Sequence, residues 1–427
     1  MAQGALPGFR DFYPQQLAER AHVMDVWREV ARRFAFVEYD GPPLEPLELY
    51  TKKSGDEIVG QLYNFTDKGG REVALRPEMT PTLARMAAAK ANALRKPVRW
   101  FSVPQLFRYE RQQRGRLREH FQLNVDIIGE PSVSADAELL AVAIEIMRGC
   151  QLTSKDVRAR VSDRRLLRIL LSTLGAAEAQ LPAIFAVVDK LDRQPRDISR
   201  EKLTAAGMRA DAIETLLELL GAKDITVDIL AAKLDSTPDT AALLDDFRRY
   251  FEFLDGLGVA DWVTIDLTIV RGLAYYTGIV FELFDARGEL RAICGGGRYD
   301  TLLQSLGGVD LPALGFGMGD VVLTELLRDR GLLPTATNGP QVWVAAEHPD
   351  MDRDVRRAAT ALRRHGVSVE YALRDQALMK QVKAAKSAGA GLMLTLHAPS
   401  ESAARGRHTW NAAAPADWDH VLDTIGL

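Results

Sequence analysis

The pattern of apolar residues changes at one point, a run rich in glycine, proline and threonine at residues 331–340 (GLLPTATNGP). Beyond it, short strand patterns alternate with helical patterns: strands at 341–346, 368–373 and 391–396, and helices at 351–362 and 376–388. Such alternation is typical of a small α/β domain with a largely parallel sheet. The sequence therefore predicts a C-terminal α/β domain at 338–427, after a linker.

The first 330 residues follow a different pattern. Apolar residues at helical spacing predict helices at 15–34, 80–95 and 137–150. Strand patterns occur at 72–75, 98–103, 121–128, 262–270, 278–284 and 290–294, the last three as an antiparallel meander with a turn at Arg287-Gly288. Residues 164–253 are almost entirely helical in pattern. We therefore expect an α+β fold, an antiparallel sheet with flanking helices, in which a helical insertion at 164–253 separates 1–163 from 254–330.

Composition excludes several classes of protein. Hydrophobic residues make up 47% and charged residues 26% of the 427 residues, which excludes a disordered chain. The net charge of -4 means that contact with nucleic acid must come from local basic clusters. Cys150 and Cys294 form no CxxC pair, and the histidines show no HxxH spacing, so we expect no metal site. With neither a signal peptide nor a membrane-length apolar run, the expected location is the cytoplasm.

The strongest local charge is a run of arginines at residues 107–118 (FRYERQQRGRLR). Five arginines and one glutamate give it a balance of +4 in an acidic chain. An arginine run is usually a solvated surface. Here Gly115 lies within the run and apolar strand patterns flank it, which favours a hairpin loop that holds guanidinium groups over a sheet. Converging arginines suit a polyphosphate, because arginine binds phosphate through two parallel hydrogen bonds.

Two further segments carry candidate chemistry: LRPEMT at 75–80, and residues 269–300, which contain VRGLAYYTG and CGGGRYD. Each has an ordinary structural interpretation: a turn for Arg271-Gly272, strand alternation for Tyr275 and Tyr276, and a flexible bend for the glycines at 295–297. The run GFGMG at 315–319 lacks the final spaced glycine of a dinucleotide site, and no P-loop motif occurs.

Together these segments resemble the motifs of histidyl-tRNA synthetases, a class II aminoacyl-tRNA synthetase family. FRYERQQRGRLREHFQ is similar to motif 2, and LRPEMT to the family's LRPEGT. VRGLAYYTG and GGGRYD resemble the histidine signatures RGLDYYTG and GGGRYDGL. FVEYDGPPLE at 36–45 occupies the place of motif 1, and GFGMGDVVLTEL that of motif 3. The motifs occur in family order over roughly residues 5–400.

The resemblance implies a ligase that uses ATP, with Mg²⁺, to form histidyl-adenylate and then transfers histidine to tRNA(His). The motif 1 likeness implies a homodimer. The implied ATP-binding residues are Arg108, Glu110, Arg116 and one of two stacking rings, His120 or Phe121. The implied histidine-binding residues are Glu78, Thr80, Gln122, Asp126, Arg271, Tyr275 and Tyr276. Arg271 and Arg108 are the implied catalytic residues, because both would stabilise charge at the α-phosphate.

The chain departs from the family pattern at several positions: Ala274 replaces an aspartate, Asp126 a glutamate, and Val322 the arginine of motif 3. The missing arginine favours an alternative, a non-catalytic histidine-binding paralogue such as the regulatory subunit of ATP phosphoribosyltransferase. The intact Arg108, Arg116 and Arg271 argue against it, as does the full C-terminal domain. In that domain Lys380, Lys383 and Lys386 form a basic stripe, either a tRNA contact or a solvated helix face.

Overall fold

The computed structural model describes residues 4–51, 60–111, 113–191, 194–222, 225–270, 275–335, 339–397 and 409–411. The chain divides into two compact units. The first comprises the described residues of Met1–Phe12 and Leu17–Pro334, and the second those of Tyr13–Gln16 and Thr335–Leu427. Among the described helices, none has the length and apolar character needed to cross a membrane.

The strands of the first unit are β1 (Val37–Glu38), β2 (Leu44–Pro46), β3 (Asn64–Thr66), β4 (Glu72–Leu75), β5 (Val98–Ser102), β6 (Gln105–Phe107), β7 (Glu119–Ile128), β8 (Val157–Asp163), β9 (Val263–Ile265), β10 (Ile279–Asp285), β11 (Cys294–Arg298) and β12 (Ala313–Gly319). Nine of these described strands form one sheet in the order β1-β5-β7-β12-β11-β10-β8-β9, with β6 beside the start of β7. All neighbouring strands are antiparallel except at the two edges of the sheet. At these edges β1 pairs in parallel with β5, and β9 pairs in parallel with β8. The predicted antiparallel sheet is confirmed.

Helix α1 (Pro14–Arg33) belongs to this unit from Leu17 onward. The other described helices of the unit are α2 (Leu47–Thr51), α3 (Thr80–Ala89), α4 (Val133–Gly149), α5 (Arg164–Thr173), α6 (Leu181–Val188), α7 (Arg196–Ala205), α8 (Ala210–Leu220), α9 (Val227–Ala231), α10 (Pro238–Gly256), α11 (Leu302–Gly307) and α12 (Asp320–Asp329). The side chain of Ser132 caps α4 by accepting a hydrogen bond from the Ser134 backbone N–H. Buried apolar residues surround most of α4, which packs on β7 and β12 and against α10. The sheet and the helical segment therefore share one core through α4.

The second unit contains β13 (Val342–Ala346), β14 (Val369–Glu370), β15 (Leu392–His397) and β16 (Thr409–Asn411), with helices α13 (Asp352–Arg364) and α14 (Leu378–Ser387). The strand order is β14-β13-β15-β16, and every pair is parallel. All five residues of β13 are buried, as expected for a central strand covered on both faces. The predicted parallel α/β arrangement is confirmed.

Parts of the predicted meander are wrong. The strand expected at 262–270 ends at Ile265 because Asp266 accepts hydrogen bonds from the backbone and hydroxyl of Thr268, which turns the chain. That strand, β9, pairs in parallel with β8, a strand that the sequence pattern did not indicate. The strand expected at 290–294 begins only at Cys294 and runs through the glycines to Arg298. These glycines form a strand rather than a flexible bend.

One buried ion pair joins this glycine strand to α4. The guanidinium of Arg298 lies 2.5 Å from a carboxylate oxygen of Asp136, and both side chains are buried. Arg298 also donates to the backbone carbonyls of Glu130 and Ser132 just before α4. Burial raises the pKa of Asp136 to about 6, although Arg298 favours the charged form. The pair therefore fixes α4 at the cost of desolvating two charges.

We expect Arg298→Met to lower the free energy of unfolding by ~3 kcal/mol or more, because it leaves the buried Asp136 carboxylate without its cation. The double variant Arg298→Met/Asp136→Leu is the control, since it removes both charges, and it should recover much of the loss. Denaturant midpoints of the three proteins measure the effect. A double variant less stable than Arg298→Met would contradict this account.

Candidate active site

A cavity of about 480 Å³, partly open to solvent, lies on one face of the central sheet, over β7, β12 and β11. Its lining is mostly polar and aromatic: Glu78, Thr80, Arg108, Gln122, Asn124, Asp126, Tyr275, Tyr276, Gly295, Tyr299, Gly315, Phe316 and Gly317. Seven of the predicted site residues are among them. The structure thus brings together residues that lie far apart in the sequence.

Strand alternation produces the floor of this cavity. Gln122, Asn124 and Asp126 alternate along β7 and face the cavity. Opposite them in the sheet register stand glycines of β12, Gly315 beside Asp126 and Gly317 beside Asn124. A Cβ atom on Gly317 would lie 2.9 Å from the Gln122 side chain, and one on Gly315 would collide with the Asp126 carboxylate. The GFGMG run is therefore part of a strand whose glycines leave space in the cavity, rather than a dinucleotide-binding loop.

Asp126 is a buried residue of the cavity lining. It is only 5% exposed, and it accepts a short hydrogen bond from the hydroxyl of Tyr299. Burial raises the pKa of Asp126 to about 7, whereas the bond from Tyr299 favours the carboxylate. The rings of Tyr275 and Tyr276 lie 5.0 Å apart, and Tyr275 lies 5.9 Å from Tyr299. The result is a small aromatic pocket with a carboxylate that can accept a hydrogen bond.

Tyr299 was missed as a site residue, although the signature GGGRYD contains it. The signal that could have found it is its position directly after β11, where a side chain can reach across the glycine floor to β7. Arg271, by contrast, was predicted as catalytic and lies outside the described residues. Its role stays a prediction.

Glu78, Thr80 and Arg108 also line the cavity. Glu78 is 6% exposed, and Thr80 begins α3. Arg108 donates from Nε to the backbone carbonyl of Pro77, 2.8 Å away. This bond links the arginine run to the LRPEMT segment and holds the Nε end of the Arg108 guanidinium in place. The cavity lining therefore includes both a cation, Arg108, and a carboxylate, Glu78.

Two predicted ATP ligands, Glu110 and Arg116, do not line the cavity; they pair with each other. Arg116 donates from Nη2 to Oε1 of Glu110 over 2.7 Å, and a second, shorter contact joins Nε to Oε2. Glu110 is buried, and Arg116 is about one third exposed. Both belong to the connection between β6 and β7, which confirms the predicted hairpin. Each of these two side chains is therefore the ion-pair partner of the other.

The alternation of β7 also distinguishes the two candidate stacking rings. His120 has the same parity as Gln122 and Asp126 and therefore faces the cavity side. Phe121 faces the core, where the Arg20 guanidinium lies 4.5 Å from its ring and 4.1 Å from that of Phe12. Burial lowers the pKa of His120 to about 3, helped by nearby Arg108, Arg10 and Arg116. His120 is thus a neutral ring on the cavity side of the sheet.

Helix α12 supports this end of β7. The Asp320 carboxylate accepts the Phe121 backbone N–H over 2.9 Å and pairs with Arg10 at 2.9 Å. Arg10 also pairs with the buried Glu119 at 2.6 Å. Val322, which stands at the missing motif 3 arginine, faces the arginine loop: a Cβ on Gly115 would lie 3.2 Å from it. Sequence reasoning missed Arg10, because its two carboxylates lie 109 and 310 residues away.

Comparisons with known proteins agree with the motifs. A family model described as histidyl-tRNA synthetase matches residues 8–320. The chain belongs to the histidyl-tRNA synthetase family. It is 46% identical over 405 residues to the histidine–tRNA ligase of Opitutus terrae, with 93% of this chain and 91% of the relative covered. It is 42% identical over 371 residues to the chloroplastic/mitochondrial histidine–tRNA ligase of Arabidopsis thaliana, with 87% of this chain and 75% of that relative covered.

The fold agrees as well. A crystal structure of histidyl-tRNA synthetase from Nostoc sp. PCC 7120 superposes with a TM-score of 0.81 at 24% identity and covers 95% of this chain and 93% of that one. The family prediction made from motifs 1 to 3 and the histidine signatures is confirmed. The alternative, a regulatory subunit, has less support than the ligase, because the relatives at 46% and 42% identity are histidine–tRNA ligases.

We expect His120→Ala to raise the KM for ATP by ~10-fold or more, the usual effect of losing a ring that stacks on a base. His120→Phe should keep the KM within about threefold, because the neutral ring of His120 makes no use of charge. Phe121→Leu is the matched control and should lower thermal stability without changing the KM for ATP. Steady-state kinetics at varied ATP concentration measure the KM of each variant for ATP. A reversed pattern, with ATP binding sensitive to residue 121 and not to 120, would refute the assignment.

Proposed function

We propose that this chain activates L-histidine with ATP in the cavity over β7, β11 and β12 and transfers the histidyl group to tRNA(His). The function class, histidine–tRNA ligase, follows from family membership. The observation that carries the substrate assignment is the pocket of Asp126, Tyr275, Tyr276 and Tyr299. An imidazole ring both donates and accepts hydrogen bonds, and a carboxylate beside phenol groups complements it.

The proposed roles divide the site into two halves. Glu78, Thr80 and Gln122 would bind the α-amino group of histidine, and Arg108 would contact the α-phosphate. Arg271 would stabilise charge that develops at the same phosphate. Preorganised cations of this kind account for much of catalysis in phosphoryl and nucleotidyl transfer. Glu110 would accept a hydrogen bond from the adenine amino group, and Arg116 would hold the outer phosphates. Mg²⁺ would enter with the triphosphate of ATP.

We also propose the division of labour along the chain. Residues 1–163 and 254–330 would form the catalytic core, 164–253 a helical insertion, and 338–427 an anticodon-binding-like domain. The Lys380, Lys383 and Lys386 side chains, on exposed positions of α14, would contact tRNA phosphates. A homodimer and a cytoplasmic location complete the proposal.

The first test is histidine-dependent exchange of pyrophosphate into ATP. Histidine should support exchange, whereas phenylalanine and glutamine should not, because a polar pocket rejects analogues that leave its groups unpaired, by ~10⁴ or more. Arg271→Ala should lower the exchange rate by ~10²–10³ without changing the fold measured by circular dichroism. Comparable rates with several amino acids would overturn the substrate assignment, and no exchange with any would favour the regulatory-subunit alternative.

The second test uses pH. The Asp126 carboxylate accepts an imidazole N–H best when ionised, so kcat/KM for histidine should rise as the pH passes the Asp126 pKa of about 7. Tyr299→Phe removes a hydrogen bond that favours the carboxylate, so the pKa of Asp126 should increase and the rise should move to higher pH. Titration of free histidine is the same for both proteins and cancels in the comparison. Superimposable pH profiles would contradict the role of the Asp126–Tyr299 pair.

A further inference from the structure

An exposed arginine lies at one end of the cavity floor. Arg291 stands three residues before β11, the strand whose glycines face the cavity. Its Nη2 donates to Oε1 of the Gln113 side chain, a neutral acceptor, over 3.1 Å. Within the described residues Arg291 forms no ion pair. Its positive charge is therefore available to an anionic ligand.

The sheet register fixes which end of the cavity Arg291 belongs to. Cys294 of β11 pairs with Met318 of β12, and Met318 pairs with Leu123 of β7. Because β11 and β7 are both antiparallel to β12, the residues before Cys294 lie beyond Met318, at the end where β7 begins with Glu119. The aromatic pocket lies farther along the same strands. Arg291 is thus at the end of the sheet that carries the arginine loop, residues 108–118 between β6 and β7.

The tip of the arginine loop connects Arg291 with Arg116. Gln113 and Arg116 exchange two backbone hydrogen bonds across this tip, of 3.2 and 2.9 Å. A Cβ atom on Gly115, between them, would lie 3.8 Å from Cδ of Arg291 and 3.2 Å from Cγ2 of Val322. The side chains of Arg291 and Val322 therefore approach the same short turn, and that turn carries Arg116.

Helix α12 holds the loop tip in place but contributes no cation to it at Val322. Arg114 of the loop pairs with Glu325 and lies 3.8 Å from a carboxylate oxygen of Asp329, both on α12. These ion pairs keep the tip beside the apolar Val322. Arg291 approaches the same tip and carries a positive charge that Val322 cannot supply.

We propose that Arg291 binds the outer phosphates of ATP together with Arg116. The inference rests on the proposed function and adds a substrate-binding residue to it. Guanidinium groups bind phosphate oxygens through parallel, charge-assisted hydrogen bonds. Such bonds are stronger than one to a neutral amide, so a phosphate can replace the Gln113 side chain as the partner of Arg291.

The proposed contact would act on the leaving group of the first half-reaction. The histidine carboxylate forms a bond to the α-phosphorus, and the bond from that phosphorus to the oxygen bridging to the β-phosphate breaks. Pyrophosphate departs with the electron pair of the broken bond. A fixed cation at Arg291 stabilises the negative charge that collects there.

The experiment measures binding of ATP and of AMP, each with Mg²⁺, to the full chain by titration calorimetry. AMP lacks the outer phosphates, so it reports only the contacts with the adenosine and the α-phosphate. The variants are Arg291→Met and Arg291→Lys, with two controls. Gln113→Ala removes the hydrogen-bond partner of Arg291 and tests a purely structural role. Arg287→Met, on the exposed turn after β10, removes one positive charge elsewhere.

Arg291→Met should weaken ATP binding by ~10-fold or more and leave AMP binding unchanged. The KM for pyrophosphate, measured by histidine-dependent exchange, should rise by a similar factor, whereas the KM for histidine should not change. Arg291→Lys should retain part of the ATP affinity, because an ammonium group supplies the charge without the planar fork. Both controls should bind ATP within about threefold of the unaltered chain, because an exposed charge away from the ligand contributes little.

Four results would overturn the inference: unchanged ATP binding in Arg291→Met, an equal loss of ATP and AMP binding, an equal effect of Gln113→Ala, or a change confined to the KM for tRNA. The last would assign Arg291 to an RNA phosphate instead. Absence of histidine-dependent exchange in the unaltered chain would overturn the proposed function. The comparison of ATP with AMP needs no turnover, so it tests Arg291 separately.

Discussion

The site depends on a sheet face from which side chains are missing. On β11 and β12, glycines face one another across the strand pair, Gly295 opposite Gly317 and Gly297 opposite Gly315. Glycine in the interior of a strand is costly, and it is retained where another group must approach the backbone closely. Here the absence of Cβ atoms opens the space into which the β7 side chains and Tyr299 project. The cavity is therefore a property of the backbone register.

The opposite face of the same strands builds the core. Phe316 and Met318 alternate with the glycines of β12 and lie beside Val125 and Leu123 of β7 in the buried cluster. A shift of one residue in register would place apolar side chains in the cavity and polar ones against α4. Register is thus fixed from both sides, and the buried Arg298–Asp136 pair holds the end of β11 to the helix that covers this core.

Regular periodicity allowed most of the fold to be predicted, and the failures share a cause. The helices at Pro14–Arg33 and Val133–Gly149 and the parallel unit after the linker follow from apolar spacing. The short β9, which pairs in parallel, and the glycine strand β11 have no such spacing, because tertiary pairing rather than side-chain pattern defines them. The family motifs indicated seven residues that meet in the cavity, but not Tyr299 or Arg10, whose roles depend on partners distant in sequence.

The pairing of Glu110 with Arg116 has a consequence for mutagenesis of the part of the site that we propose binds the nucleotide. Each side chain is the counterion of the other, so replacing one changes the electrostatic surroundings of its partner as well as its own proposed contact with ATP. Alanine at Glu110 would release Arg116 from its present partner, and alanine at Arg116 would leave a buried carboxylate uncompensated. The free-energy effects of the two single substitutions are therefore not additive. Only a double-mutant cycle can separate the energy of the pair from that of its proposed contacts with the nucleotide.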